Sequence, residues 1–412
     1  RPYIRENGAL KPAGWEEAFA AVAAGIKGKN GSQIAAIAGD LVDVEAMASL
    51  KTLMKSLKSP NIDCRQDGAA LDASVRSGYL FNSTIAGIED ADALLLVGTN
   101  PRLESPIINA RIRKRYLMGN FPIGAIGPNA DLTYKYENLG AGPDTLTGGD
   151  SNFLQVLKDA ERPMIIIGQG ALARADGAAV LAVCKKIADD TGVVSGDWNG
   201  FNVLHTAAAR VGGLDLGFVP GEGGLDTAGI LAGALGGSIK FVYLLGADEV
   251  DMGALDKPFV VYQGHHGDAG AQAADVVLPG AAYTEKNATY VNTEGRVQRT
   301  RAATQPPGEA REDWKVIRAL SDALKKSIKF NTLADVHKKM AEFNPIFSGA
   351  LGVVETSAWG EFGQAGETDS APFQTPISDY YITDAISRAS ETMAKCSLQH
   401  ATPDQGMTGT DG

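Results

Sequence analysis

The sequence predicts an α/β protein built on parallel β-sheets, and three observations lead to this prediction. Short apolar runs that end in glycine recur along the chain, helical patterns lie between them, and glycine makes up 49 of 412 residues, which favours many tight turns. Parallel strands that are buried on both faces are continuous apolar runs, and helices connect them. The predicted strands are Ile34–Ala38, Leu94–Val97, Ile123–Ile126, Met164–Ile167, Phe241–Leu245, Phe259–Tyr262 and Val276–Leu278.

Helices are predicted where apolar residues recur at a spacing of three and four. The clearest pattern is Val44–Leu57, and Asp43 directly before it is a candidate N-cap because its side chain can accept a hydrogen bond from a free backbone N–H group. Further helices are predicted at Ile107–Leu117, Ala178–Ile187, Val203–Val211 and Trp314–Leu324.

The predicted elements divide into two α/β domains and a tail. Residues 1–89 and 221–330 are predicted to form one discontinuous domain, and residues 90–220 a second domain inserted into it. Residues 331–412 show little periodicity over most of their length. We therefore predict an extended C-terminal segment with a final helix near Thr383–Cys396.

Composition excludes several classes of protein. The chain has 38 Lys and Arg against 49 Asp and Glu, a net charge of −11, which argues against a surface for nucleic acid. Its apolar runs are far shorter than the roughly 18 residues that span a bilayer. Cys64, Cys184 and Cys396 lie far apart, so their spacing fits neither an iron–sulfur cluster nor a zinc site. We expect three reduced thiols.

Small and polar residues follow the predicted strands, where ligands bind in open parallel sheets. Such residues leave room for a crevice, although strand-to-helix turns also use Gly, Asn and Asp for backbone reasons alone. Both interpretations stay open for each turn. The candidate crevice residues are Gly98, Asn100, Gly168, Gly170, Gly246, Asp248, His265, His266 and Asp268.

The stretch from Gly168 to Ala173 matches the G-x-G-x-x-A pattern of dinucleotide sites directly after a strand. In such a site the glycines let backbone N–H groups approach a pyrophosphate at the start of a helix. Here the long helical pattern begins only beyond Asp176, so the loop is longer than that site needs. An NAD-dependent dehydrogenase is therefore a weakly supported alternative function.

The adjacent His265 and His266 are the most reactive-looking pair, because neutral imidazole can bind metal or transfer protons. Neighbouring residues in an extended segment point in opposite directions, so we expect that the two rings do not share one ion. We expect hydrogen bonding and loop shaping instead. Glu285–Lys286 is interpreted as a charged turn at the surface or at an interface.

Several long stretches resemble a known family. They are Leu95–Arg102 (LLVGTNPR), Asn109–Lys114 (NARIRK), Gln263–Asp268 (QGHHGD), Ala274–Arg296 (ADVVLPGAAYTEKNATYVNTEGR) and Thr383–Ser390 (TDAISRAS). Together they resemble the large iron–sulfur subunit, also called the 75 kDa subunit, of NADH:quinone oxidoreductase, which is respiratory complex I. The resemblance extends over almost the whole chain.

This resemblance implies two intertwined Rossmann-like parallel-sheet domains of the molybdopterin oxidoreductase type, followed by an irregular tail. It implies a structural part of the subunit, supporting electron transfer from NADH to quinone with no redox centre of its own. In the family, iron–sulfur clusters are held by an N-terminal ferredoxin-like region that these residues do not include. The implied partners are other peripheral-arm subunits, with no nucleic acid and no direct membrane insertion.

The implied location is the cytoplasmic side of a bacterial inner membrane, or the matrix side in a mitochondrion. A rival function is an active molybdopterin-dependent oxidoreductase similar to formate dehydrogenase. In those enzymes a stretch similar to Asn61–Cys64 precedes a Cys or selenocysteine that binds molybdenum. Arg65–Ala70 follows here without a sulfur atom, which leaves only Asp67 or a shifted Cys64 as substitutes. We expect no catalytic residue, no metal ligand and no cofactor in this segment.

Overall fold

A computed structural model describes residues 1–148 and 152–400 of the chain. The fold is α/β, as predicted, and each predicted strand is present within one or two residues of its expected ends. The strands are β1 Tyr3–Glu6, β2 Ala9–Pro12, β3 Ile34–Ala38, β4 Asn61–Asp63, β5 Ala93–Val97, β6 Ile123–Ile126, β7 Glu137–Gly140, β8 Pro163–Ile167, β9 Val194–Ser195, β10 Trp198–Asn199, β11 Phe201–Val203, β12 Phe241–Leu245, β13 Phe259–Gly264, β14 Val276–Pro279, β15 Thr289–Val291 and β16 Val297–Arg299.

Helices connect these strands and cover the faces of the sheets. They are α1 Trp15–Ile26, α2 Val44–Ser56, α3 Pro101–Glu104, α4 Pro106–Leu117, α5 Pro143–Thr147, α6 Asn152–Asp159, α7 Gln169–Leu172, α8 Gly177–Thr191, α9 Arg210–Leu216, α10 Thr227–Gly236, α11 Ala269–Ala273, α12 Asp313–Ala323, α13 Leu333–Phe343, α14 Ala385–Arg388 and α15 Glu391–His400. Asp43 caps α2 as predicted, because its carboxylate accepts a 2.8 Å hydrogen bond from the Ala46 N–H group.

Two sheets organise the described part of the chain. The larger sheet has seven strands in the order β2-β1-β14-β13-β12-β3-β4, and the smaller sheet has five in the order β11-β8-β5-β6-β7. From β14 to β4 the larger sheet is parallel, and β1 joins β14 antiparallel at its edge. The smaller sheet is parallel throughout. The strand ends of each sheet therefore form one edge, where the crevice residues lie.

The strands of the smaller sheet come from the predicted inserted domain, and those of the larger sheet come from the two flanking stretches. One hydrophobic cluster joins the sheets, since it includes Val97 and Ile165 of the smaller sheet together with Ala36 and Tyr243 of the larger sheet. The domain limits at 89/90 and 220/221 stay a prediction.

Two predictions of helices are wrong. Val203–Val211 is not one helix, because Phe201–Val203 pairs with β8 as an edge strand and the helix begins only at Arg210. The final helix near Thr383–Cys396 is divided in two. Ser390 lies between α14 and α15, and its hydroxyl accepts a hydrogen bond from the Met393 N–H group, which starts a new helix there.

The tail is also more structured than predicted at its beginning. Helix α13 occupies Leu333–Phe343, where we expected an extended segment. Thr332 and Asp335 form a reciprocal capping box that starts it, and Val336 and Met340 are buried against the core. Residues 401–412 of the predicted tail lie outside the described residues.

No helix in the part of the chain that the structure describes combines the length and apolar character that a bilayer crossing requires.

The fully buried strand β8 should contribute strongly to stability. Ile166 has no exposed surface, whereas Ile107 on α4 is 77% exposed. We expect Ile166→Ala to lower the free energy of unfolding by about 2–5 kcal/mol, because it removes buried methyl groups and leaves a cavity. The matched control Ile107→Ala should change it by less than about 0.5 kcal/mol. Denaturant titration measures both, and equal losses would contradict the described packing.

Candidate functional site

The strand ends of the larger sheet converge on one small cavity. Gly246 and Asp248 follow β12, His265 follows β13, and all three line this cavity. Asp40 after β3 and Asp384 of the tail also line it. The enclosed volume is about 30 Å³, which is on the order of one water molecule. The described residues therefore leave no room there for a dinucleotide.

The polar groups around this cavity are bonded to one another. Asp248 accepts hydrogen bonds from the Tyr262 hydroxyl at 2.7 Å and from the Gly270 N–H group at 3.0 Å. Burial raises the pKa of Asp248. Asp268 pairs with Arg388 at 2.5 Å. Both aspartates thus organise the loop around α11, which is the ordinary role that strand-end turns assign to such residues.

The two histidine rings lie next to each other, although neighbouring residues in an extended segment would point in opposite directions. His265 Nδ1 and His266 Nδ1 lie 2.6 Å apart, and the ring planes are nearly perpendicular. Strand β13 ends at Gly264, so the pair follows in a bend and the alternation of an extended segment does not apply. Burial, with a contribution from His266, lowers the pKa of His265 to about 4. The two Nδ1 atoms are within hydrogen-bond distance, and the tautomers of the rings decide which one donates.

A buried ion cluster supports the same edge of the larger sheet. Lys286 lies 2.6 Å from both Asp43 and Asp313, and its side chain is only 6% exposed. Burial by itself would lower the pKa of Lys286, but the two carboxylates raise it well above its ordinary value. Gln263 donates a further hydrogen bond to Asp313. Our interpretation of Lys286 as a surface turn residue is therefore wrong, because the fold surrounds it with carboxylates.

Neighbouring segments of the chain pack closely on the glycines at the strand ends of the smaller sheet, beside an open cavity of about 710 Å³ lined by Asn100, Asn129 and Tyr380 among others. Gly98 has a φ of +55°, which L side chains rarely adopt, and a Cβ there would lie 2.7 Å from the Ala171 Cβ. At Gly170 a Cβ would lie 2.1 Å from the backbone oxygen of Gln374. A Cβ at Gly168 would clash with Thr99. These glycines allow the backbone of neighbouring segments to approach closely.

Glu104 supplies the carboxyl group at this edge. Its carboxylate accepts hydrogen bonds from the Asn100 N–H group at 2.5 Å and from the Thr99 hydroxyl at 3.0 Å, and the Gln169 N–H group also bonds to it. Gln169 is the first residue of α7, directly after Gly168. An internal carboxylate thus occupies the kind of position where helix starts bind phosphate. Burial raises the pKa of Glu104 to about 7.

The stretch that would carry a molybdenum ligand holds an ion pair instead. Asp67 lies 2.9 Å from Arg210, whose side chain is 1% exposed. Burial alone would raise the pKa of Asp67, but the charge of Arg210 and the hydrogen bonds from Arg210 and the Ala69 N–H group together outweigh it and lower that pKa. Cys64 is fully buried, and burial raises the pKa of its thiol to about 12. Asp67 and Cys64 are therefore committed to other roles, the first as an ion and the second as a neutral thiol.

An open cavity of about 670 Å³ lies beside this stretch, lined by Gly68, Ala69 and Ala70 among others. Its two cationic side chains are already neutralised, since Arg65 pairs with Asp63 and Arg174 pairs with Asp176. Among the described residues, no group of three or more His, Cys, Asp or Glu side chains is arranged to hold a metal ion. The residues present do not fit a molybdenum–pterin group, although the cavity has the volume for a ligand.

Comparison with known proteins gives the class of this chain. A sequence model described as molybdopterin oxidoreductase matches residues 1–323, and a model for the C-terminal part of the NADH-ubiquinone oxidoreductase G subunit matches residues 353–396. The chain belongs to the molybdopterin oxidoreductase family. The resemblance to the large iron–sulfur subunit of complex I is confirmed by these matches and by the curated relatives.

The chain is 41% identical over 420 residues to the NADH-ubiquinone oxidoreductase 75 kDa subunit of Reclinomonas americana, covering 96% of this chain and 60% of that protein. It is also 41% identical to the NADH-quinone oxidoreductase G subunit of Rickettsia bellii, covering 96% of this chain and 57% of the relative. The 78 kDa subunit of Candida albicans is 44% identical, with 96% and 56% covered. The chain therefore spans less than two thirds of the length of these relatives.

Solved structures support the fold alone. A chain of the formyltransferase/hydrolase complex from Methylorubrum extorquens aligns with a TM-score of 0.57 at 16% identity, over 79% of this chain and 99% of that one. Acetylene hydratase from Pelobacter acetylenicus aligns with a TM-score of 0.51 at 12% identity, over 85% and 64%. At such low identities the similarity carries no statement about chemistry.

Lys286, Arg210 and Glu104 are the residues that sequence reasoning missed. None of them belongs to a linear motif. Lys286 pairs with Asp313 and Arg210 pairs with Asp67, which lie far away in the sequence, and Glu104 bonds to the turn that starts α7. The long Ala274–Arg296 stretch contains Lys286, and its similarity to the family is the only signal that marked this neighbourhood.

The Lys286 cluster yields a stability prediction. Lys286→Met should lower the free energy of unfolding by about 3–5 kcal/mol, because Asp43 and Asp313 would stay buried without a counter-charge. The matched control is Lys315→Met, whose pair with Glu312 is half exposed and should contribute about 0–1 kcal/mol. Denaturant titration at neutral pH compares the two variants. A loss for Lys286→Met no larger than the loss for the control would refute the cluster.

Glu104 yields a pH prediction. Its pKa is about 7 in the folded chain against an ordinary 4.5, so the folded chain holds a proton that the unfolded chain releases between these values. This contribution to stability is present below pH 4.5 and is lost as the pH rises to 7. Relative to wild type, Glu104→Gln should gain up to about 3 kcal/mol across that range. Denaturant titrations at several pH values measure the difference. If the free energies of unfolding of wild type and Glu104→Gln change with pH in the same way, the raised pKa of Glu104 is disproved.

Proposed function

We propose that the chain is a structural part of the large iron–sulfur subunit of complex I and supports electron transfer from NADH to quinone without a redox centre of its own. The observation that carries this proposal is that the charged groups at the strand ends of this oxidoreductase fold are paired with one another. Where an active relative would need a sulfur ligand, this chain has the Asp67–Arg210 ion pair. The identity of 41–44% to complex I subunits over nearly the whole chain supports the same assignment.

The proposed work of the segment is positioning. Electron transfer depends steeply on distance, so a rigid body that fixes the cluster-bearing region against its neighbours contributes to the rate. The buried ion clusters and the dense core suit such a body. We propose that the iron–sulfur clusters belong to the ferredoxin-like region of the whole subunit, and that this chain contributes no ligand to them.

The proposed partners are other peripheral-arm subunits of the complex. Attachment would be through these partners, on the cytoplasmic side of a bacterial inner membrane or the matrix side in a mitochondrion. The curated relatives are named as subunits of NADH-quinone and NADH-ubiquinone oxidoreductases, which supports membership of that assembly. No nucleic-acid partner is proposed, given the net charge of −11.

The second candidate is an active molybdopterin-dependent oxidoreductase. Two observations favour it: the family match over residues 1–323 and the open cavity beside Gly68–Ala70. The absence of a sulfur ligand between Arg65 and Ala70 and the pairing of both arginines at the cavity argue against it. Metal analysis separates the two candidates.

The chain purified alone should contain no stoichiometric transition metal and should give no pterin fluorescence after oxidation. About one molybdenum or other transition-metal atom per chain would overturn the structural role, since the soft ligands of such a centre would then have to exist. The positive control is an active molybdopterin enzyme carried through the same purification and oxidation.

Membership of the complex is tested separately. A tag on this chain should isolate, from detergent-solubilised membranes of the source organism, an assembly that oxidises NADH with quinone and contains iron but no molybdenum. Isolation of an assembly without NADH oxidation would contradict the proposed complex. The metal analysis of the isolated chain would still test the structural role, because that measurement does not depend on the assembly.

A further inference from the structure

Residues 359–388, here called the strap, cross the strand ends of both sheets. We propose that the crevice formed by these strand ends is a binding site for the strap itself, and that the strap holds the two sheets together in place of a separate ligand. The proposal rests on three observations, which are the contacts of the strap with the smaller sheet, its fit to Gly170 and its contacts with the larger sheet.

The first part of the strap is bound to the smaller sheet and its helices. The Gln364 N–H group donates to the Ala178 carbonyl at 3.0 Å, and the Phe373 N–H group donates to the Ala141 carbonyl at 2.9 Å. Phe373 has no exposed surface. Arg174 donates to the Ala371 carbonyl at 2.8 Å. Backbone bonds and one buried aromatic ring therefore fix this part, in the manner of a bound peptide.

The fit at Gly170 links the strap to the glycine motif. A Cβ at this position would lie 2.1 Å from the Gln374 backbone oxygen, so only glycine allows the strap to approach. In a dinucleotide site the same glycine of the pattern allows close approach of a pyrophosphate. Here the close approach serves the strap. The glycine motif and the strap are thus complementary surfaces of one binding site.

The last part of the strap is bound to the larger sheet. Asp384 and Ala385 line the small cavity beside Asp40 and Gly246. Arg388 pairs with Asp268 and with Glu249, at 2.5 Å in each case. The same strap therefore contacts the strand ends of both sheets, with only the short segment 375–383 between its two attachments.

The extent of the strap coincides with a boundary between the two sequence matches. The molybdopterin oxidoreductase match ends at residue 323, before the strap begins, and the match to the complex I subunit covers 353–396, which includes all of it. Residues 1–323 thus carry the fold that is shared across the wider family, and the strap that packs on its crevice belongs to a separate segment. This division is expected if the strap, a segment of the chain itself, occupies the crevice.

Reciprocal substitutions at the two attachments test the proposal. In the full chain, Phe373→Ala should accelerate hydrogen exchange of the Arg388 amide, which bonds to the Asp384 carbonyl, by about tenfold or more, because loosening one attachment opens the other. Arg388→Gln should in turn accelerate exchange of the Phe373 amide by a similar factor. Arg388 is partly exposed, so this second variant keeps the test available if the first one fails to fold.

Tyr380→Ala is the matched control, because Tyr380 lies between the attachments and is 45% exposed. It should leave exchange at both amides unchanged. If each substitution accelerates exchange only at its own attachment, the two attachments are independent and the proposed bridge is refuted. The same conclusion follows if the control accelerates exchange as much as Phe373→Ala and Arg388→Gln do.

Discussion

The structure depends on how the carboxyl ends of two parallel sheets are closed. Such an edge presents backbone N–H groups at the starts of the following helices, and these groups require acceptors whether or not a ligand is bound. In this chain carboxylates supply the acceptors. Glu104 bonds to the turn before α3 and to the start of α7, and Asp248 bonds to Gly270 in α11. The edge is satisfied internally and requires no external anion.

When charged groups lie buried at such an edge, each of them needs a nearby partner of opposite charge. A buried charge that loses its partner costs several kcal/mol, while an intact pair contributes little net stability over an apolar substitute. Lys286 with its two aspartates and Arg210 with Asp67 are such arrangements. Each links the strand-end turns to a helix from another part of the chain. These ion pairs therefore act mainly by specifying one arrangement of the strand-end turns.

Local elements were predictable from the sequence because their causes are local. Continuous apolar runs indicated the strands, and Asp43 indicated the start of α2. The errors arose where contacts between distant residues decide the structure. Val203 joins an edge strand because β8 pairs with it, although the apolar spacing around it is typical of a helix. His265 and His266 meet because their strand ends at Gly264. Lys286 is buried because Asp43 and Asp313 converge on it, which no sequence spacing shows.

The position of the candidate site could be predicted from the sequence, but the chemical groups that surround it could not. Strand-end residues such as Gly246 and His265 do line one cavity, because the topology alone brings parallel strand ends together. The identity of the groups at these strand ends depended on Arg210 and the strap, whose partners lie far away in the sequence, and on the contact of Glu104 with Gln169 in another strand-end turn. A segment of the same polypeptide packs on the strand ends without the loss of translational freedom that binding a separate molecule requires.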